Sequence, residues 1–234
     1  MTIANRNIML EQGQNLPYDA EVAYLEGTGT QYIDTGVNAS SSMSVITRVA
    51  WSEVGYDKTA IGVDNGSTFN GGFNLQVTVG GSYFRFIRGS QYVDARGNNN
   101  LPPQADTFYD ISIGPEGMEI NGTLSPITAT TSFTTVGTLP LFAWRRSYNL
   151  LGCAKVKIGR TKIYEGDVLV IDLIPVRFTN ELGQSEGAMY DRANQTVGMN
   201  PDGSARDDGI YRNRGTGAFL IGPDTMGGGA NINA

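Results

Sequence analysis

At 234 residues, with a formal net charge of −6, 31 glycines, one cysteine and no histidine, the chain is bounded from the outset. A chain of this length buries roughly 70–75% of its unfolded surface, so it needs no metal or disulfide to fold, and the lone Cys153 excludes an intramolecular disulfide and a multi-cysteine zinc site. Without histidine there is no Ser-His-Asp or Cys-His chemistry and no imidazole metal ligand, and the negative balance disfavours a non-specific hold on nucleic acid.

Residues 1–17 are polar, end in Leu16-Pro17 and follow neither the helical nor the strand period. They read either as a frayed terminus or as a docking arm that orders on a partner through Ile3, Ile8, Met9 and Leu10. The start lacks the 7–15-residue apolar core of a signal peptide, and no stretch approaches the ~20 apolar residues of a membrane span. The expectation is a chain made in the cytoplasm, without a membrane partner.

From residue 18 onward the pattern has period two. Tyr32 and Ile33 flank an acidic turn closed by Gly36, a first strand, and Asn65 to Gly72 is loop-like. LQVTV at 75–79 should bury Leu75, Val77 and Val79 and expose Gln76 and Thr78. In YFRFIR at 83–88, Phe84 and Phe86 point one way while Tyr83 and Arg85 point the other. NNNLPPQ at 98–104 is a loop; 109–113 and 118–120 form a hairpin across Gly114 to Gly117, and Asn121-Gly122 is a second turn. Cys153 opens the alternating run 154–159 and reads as a small buried hydrophobe. A hairpin over 162–170 turns at Glu165-Gly166, and Val168 to Ile171, apolar on both faces, suits a strand between two layers. Pro175 cannot donate to a ladder, which places it at an edge or bulge. The turns 215–217 and 222–224 bound a last strand, and 225–234 is a Gly-rich tail. Many short strands separated by turns, with no capped helical stripe, make an all-β sandwich or barrel.

Two segments carry a family resemblance: LPYDAEVAYLEGTGTQYIDTGV at 16–37, and a run from LFAWRRS (141–147) through VKIGRTKIYEGDVLVIDLIPVRF (156–178) and EGAMYDRANQTV (186–197) to RGTGAFLIGPD (214–224). Together they resemble the concanavalin A-like lectin/glucanase (LamG-like) domain, in the version found in phage virion proteins and surface proteins of gut bacteria. The resemblance brackets residues 18–224 and implies a two-sheet antiparallel jelly-roll sandwich between a short N-terminal arm and a flexible tail; residues 199–214 are longer than the family's usual link and are expected to form an extra surface loop. It also implies a place on a bacteriophage particle, as a capsid auxiliary, head-fibre or tail-associated subunit. The partners would be other virion proteins, further copies of the chain and, in the alternative reading as a lectin-like module, a host-surface glycan.

A retaining glycosidase sets two carboxyl groups ~5–5.5 Å apart, and the Glu-x-Asp-x-x-Glu pattern that would place them on one strand is absent. No catalytic residue and no cofactor is expected. Asn200, Asp202, Asp207 and Asp208 gather oxygen ligands in one loop, but their spacing fits no EF-hand and no metal is assigned. Glycan binding would draw on Trp51, Tyr83 with Arg85, Tyr92, and Trp144 with Arg145. Each of these aromatics, taken singly, reads first as core packing or a hairpin cross-pair.

Overall fold

A computed structural model describes residues 16–55, 58–66, 71–128, 132–195, 198–199, 202 and 204–225. The arm residues Ile3, Ile8, Met9 and Leu10 and the tail from 226 lie outside them, as does Asn200. The strands of the first half are β1 (Ala20–Glu21), β2 (Leu25–Glu26), β3 (Ile33–Ser40), β4 (Met43–Trp51), β5 (Lys58–Asp64), β6 (Gly72–Val77), β7 (Phe84–Gly89) and β8 (Gln91–Ala95). The middle holds β9 (Tyr109–Gly114), β10 (Gly117–Ile120), β11 (Thr123–Pro126), β12 (Thr134–Leu141), β13 (Ala143–Arg146) and β14 (Asn149–Cys153). The last third holds β15 (Val156–Glu165), β16 (Val168–Thr179), β17 (Ser185–Asp191), β18 (Gly198–Met199), β19 (Ala205–Arg206), β20 (Ile210–Tyr211) and β21 (Leu220–Ile221). The only helical turns among the described residues are two three-residue 3-10 turns, Val79–Gly81 and Asn98–Asn100.

The strands form two sheets packed as a β-sandwich. The larger runs β11-β10-β9-β4-β15-β16-β17-β20-β18-β19, with β1, β2 and β21 added along it; the smaller runs β14-β13-β5-β6-β7-β8, with β12 and β3 beside β5. The core follows from the alternation. Phe73, Leu75, Val77, Phe84 and Phe86 of the smaller sheet face Val45, Val49, Ile111 and Ile113 of the larger, all within 1% of full burial. Phe84 lies between the sheets' largest rings, 5.3 Å from Trp51 and 4.7 Å from Tyr109 between centroids. The hairpin of β9 and β10 and the Asn121-Gly122 turn stand where the pattern put them. Both turn residues have positive φ, 48° and 84°, the geometry that a tight two-residue hairpin turn needs.

Five local readings are corrected. The pairing is antiparallel except for β13 on β5 and β18 on β20, which run parallel. The first arises because Phe142, at φ 67°, reverses the chain between β12 and β13, and both flanking residues meet Ile61. The apolar run at 168–171 is not sandwiched at its start: Val168 is 67% and Leu169 38% exposed, because β17 reaches along β16 only to Leu173 and these two residues pair with β15 alone. The stretch buried on both faces lies further on, from Ile171 to Val176. There a second apolar cluster of Ile174, Val176, Phe178, Tyr190 and Ile210 is joined by Tyr18 on the outside of the larger sheet. The turn of that hairpin is Gly166-Asp167, since Glu165 still pairs with Val168.

Pro175 lies neither on an edge strand nor at a bulge. It pairs with Met189 in unbroken register on one side. On the other, β15 stops pairing at Leu173 and β1 begins at Val176, so the missing N–H falls at a seam between two neighbours. Its carbonyl is still used, accepting the Val22 amide at 2.9 Å. Finally, Gln76 and Thr78 are buried, at 8% and 6% exposure, rather than exposed. Cys153 is half-buried, and burial pushes its thiol pKa up to about 11.

Candidate functional site

The outer face of the smaller sheet gathers most of the residues that the sequence singles out. Register puts Trp144 opposite Gly62, Gly62 opposite Asn74, Asn74 opposite Ile87 and Ile87 opposite Tyr92, so one row crosses five neighbouring strands. The next row carries Thr59, Gln76, Arg85 and Asp94. Arg85 forks onto Asp94 with both contacts at 2.7 Å, and its guanidinium lies 4.4 Å from the Tyr92 ring centroid. Tyr83 lies under Arg96 at 5.2 Å, and Trp144 under Arg146 at 4.8 Å. Trp144 is further held by its indole N–H, which donates to Asp64 at 2.8 Å.

These aromatics stand at the margins of the face, and its centre is closed. Asn74 is 1% exposed, Ile87 is fully buried, and neither amide atom of Asn74 has a hydrogen-bond partner. Trp51 is not on this surface at all. It is a core residue, 1% exposed, whose indole N–H donates to the Lys58 carbonyl. Nor do Trp144 and Arg145 form one platform. Consecutive strand residues point to opposite faces, so the cation over Trp144 is Arg146.

Arg145 turns inward to the end of the core, where it meets Asp34 of β3. Its Nη2 donates to Asp34 Oδ2 at 2.8 Å, and Nη1 donates to the Thr138 carbonyl at 2.9 Å and to the Thr138 hydroxyl. Arg214, from the segment after β20, donates to the same Asp34 oxygen at 2.7 Å. Asp34 Oδ1 accepts from the Thr138 hydroxyl at 2.6 Å and the Gly36 amide at 3.1 Å. Burial by itself would raise the pKa of Asp34. The hydrogen bonds from Arg145 and Thr138, with the charge of Arg145, outweigh it and hold the carboxyl below its ordinary range. Above this cluster opens a cleft of about 310 Å³, walled by Tyr32, Val136, Tyr148 and Leu150.

The segment that delivers Arg214 is zipped to residues 30–32. The Arg214 amide donates to Tyr32, the Thr216 amide and the Thr30 carbonyl meet at 3.1 Å, and Gln31 reaches the Thr216 carbonyl at 3.0 Å. Gly215 is what lets the two backbones approach: a Cβ there would lie 1.8 Å from the Thr30 carbonyl oxygen. Gly215→Ala should therefore lift the segment and lower the melting temperature by several degrees, the shift of ~1–2 kcal/mol in a domain this size. An unchanged melting curve would show that the zipper does not matter.

The other buried acids are likewise engaged. Asp64 accepts from Trp144 and Arg146, Asp172 is forked by Arg160, and Asp191 accepts the backbone amides of Asp172 and Ala193 through Oδ1 alone, its buried Oδ2 having no hydrogen-bond partner. Asp202 and Asp208 close turns on Ser204 and Ile210, with Asp208 also held by Arg212. Among the described residues no group of three or more cysteines and acids is placed to hold a metal ion. No family model matches the chain, and no curated protein does. Asp34 and Arg214 both lie inside the two segments that carry the family resemblance, yet the sequence reads Asp34 as part of an acidic turn and Arg214 as part of a surface loop. Only the tertiary pairing of chain ends 180 residues apart reveals them as one cluster.

Proposed function

We propose that this chain is a non-catalytic binding subunit of a bacteriophage particle, a concanavalin A-like jelly-roll sandwich that assembles with other virion proteins. The observation that carries the non-catalytic part is the state of the buried carboxylates. Asp34, Asp64 and Asp172 each face an arginine, and Asp191 faces backbone amides, whereas a glycosidase must hold two carboxyl groups across an open cleft. The place on a particle is supported by the resemblance of residues 16–37 and 141–224. A glycan-binding role is favoured by one further observation: Tyr83 and Tyr92 keep 36% and 51% exposure beside Arg85 and Asp94 on one face. Size-exclusion light scattering of the purified chain tests the reading. It is expected to give a defined oligomer or a complex with a capsid or tail protein from the same genome. A monomer that binds none of them, or one that cleaves a β-glucan, would contradict it.

A further inference from the structure

We propose that copies of this chain associate head to tail, with the β15–β16 hairpin tip of one copy, Glu165 to Leu169, seated in a basic groove on the outer face of the larger sheet of the next. The proposal rests on the reading of the chain as a subunit that assembles.

The groove, about 690 Å³ in volume, crosses β9, β4, β15 and β16 and is bounded on one side by residues 21–23. Register builds it. Ser112, Ile46, Lys162 and Asp172 stand opposite one another in one row, and the Arg192 amide closes the row on the Asp172 carbonyl at 2.8 Å. Four cations, Arg48, Arg160, Lys162 and Arg192, line the groove together with Glu21 and Asp110. Arg160 forks Asp172, and Arg48 lies 3.6 Å from Asp110. Glu21 accepts the Tyr18 hydroxyl at 3.1 Å and adds its field to Arg160. Four positive charges thus meet three negative ones, and the side chains of Lys162 and Arg192 make no hydrogen bond or ion pair among the described residues. The apolar part of the lining is Val22, Ile174, Pro175 and Ile46, the last 45% exposed. Such a groove fits an acidic group on an apolar body.

The chain carries that body itself. Val168 and Leu169 are exposed at the start of β16, beyond the reach of β17, and Glu165 and Asp167 stand beside them. Glu165 accepts from the hydroxyls of Ser40 and Ser42, and among the described residues no basic side chain pairs with either acid. Glu116, in the β9–β10 turn two strands away at the same end of the sheet, adds a third acid. The tip is ordered in advance, since the Gly166 amide donates to the Ser42 carbonyl at 3.1 Å, so docking loses little conformational entropy. It cannot bend back into its own groove, because Glu165 and Lys162 belong to one paired strand and stay about 10 Å apart. The contact is therefore made between copies, a heterologous interface whose repetition builds a ring or a filament. Charge selects this contact over others between copies. At a net charge of −6 two chains repel, except where the positive groove of one takes the acidic tip of the other.

Sedimentation velocity of the full chain across a concentration series, at low and high salt, tests this. At low salt, species larger than the monomer should grow with concentration, and high salt should dissociate them because the paired charges are at the surface. Two variants separate the halves of the contact: Val168→Lys on the tip, and Lys162→Gln with Arg192→Gln in the groove. None of these side chains has a polar partner to lose, so both variants should melt like the parent, and each should weaken self-association about tenfold. Mixed together, they should form a one-to-one pair that grows no further, since the tip variant still offers a groove and the groove variant a tip. A chain that is monomeric at every concentration, association undiminished in either variant, or a mixture that forms no pair would overturn the proposal. Such results would leave incorporation into particles, which is measured separately, untouched. Loss of incorporation with the self-association intact would overturn the particle reading alone.

Discussion

Asp34→Asn should lower the stability of the fold by about 3–5 kcal/mol at neutral pH, the cost of breaking a buried ion pair from one side. Arg145 is 7% exposed and keeps its charge, so the amide leaves a buried cation without its counter-ion, and Arg214 loses the same partner. The shape of the side chain is preserved, so the loss reports charge rather than packing. The pH dependence has a definite sign. The pKa of Asp34 is depressed in the folded state, so its contribution is complete above the unfolded value of about 3.9 and disappears as pH falls through the folded value. Urea unfolding of both proteins should therefore show a large gap at pH 7 that narrows progressively below about pH 4. A gap that stays constant down to pH 2–3 would mean that ionisation of Asp34 is not what holds the cluster.

Phe84→Ala should cost a similar amount, about 3–5 kcal/mol, by a different route. Phe84 is fully buried, belongs to the smaller sheet, and touches Trp51 and Tyr109 of the larger. Its removal takes a ring out of a place where three aromatics join the two layers, and strands on both sides are too firmly paired to collapse into the void. Near-UV circular dichroism should lose Trp51 signal alongside the drop in unfolding midpoint. Phe84→Leu should recover more than half of the loss because it refills most of the volume. With whole-domain stabilities of about 5–15 kcal/mol, either Asp34→Asn or Phe84→Ala brings the fold near its limit, and the pair together should not fold. If Phe84→Ala melts like the parent, the sheets are held together elsewhere.

How much of this was readable beforehand depends on the range of the interaction. Alternation around Phe84 and Phe86 and the turns at Asn121-Gly122 and Gly166 are local, and they come through in the fold. What escaped depends on neighbours distant in sequence. The pattern at 75–79 cannot show that Gln76 and Thr78 are buried. Pro175 reads as an edge residue because the seam between β15 and β1 exists only after residues 20–22 fold back onto it. Trp144 and Arg145 looked like one platform because they are adjacent in the chain, yet strand geometry sends one outward to Asp64 and the other inward to Asp34. The cleft is the least legible feature of all: it is assembled from β3, β12, β13, the β13–β14 hairpin and a segment beyond β20, and of its lining only Arg145 stands among the binding candidates of the sequence.

The central claim, a non-catalytic subunit of a phage particle, is tested most directly by mass spectrometry of gradient-purified particles from a culture that expresses the chain. The chain should co-sediment with the major capsid or tail proteins at a fixed stoichiometric ratio that survives a high-salt wash. Its presence only in the soluble fraction, or at trace and variable levels in the particle band, would contradict the account.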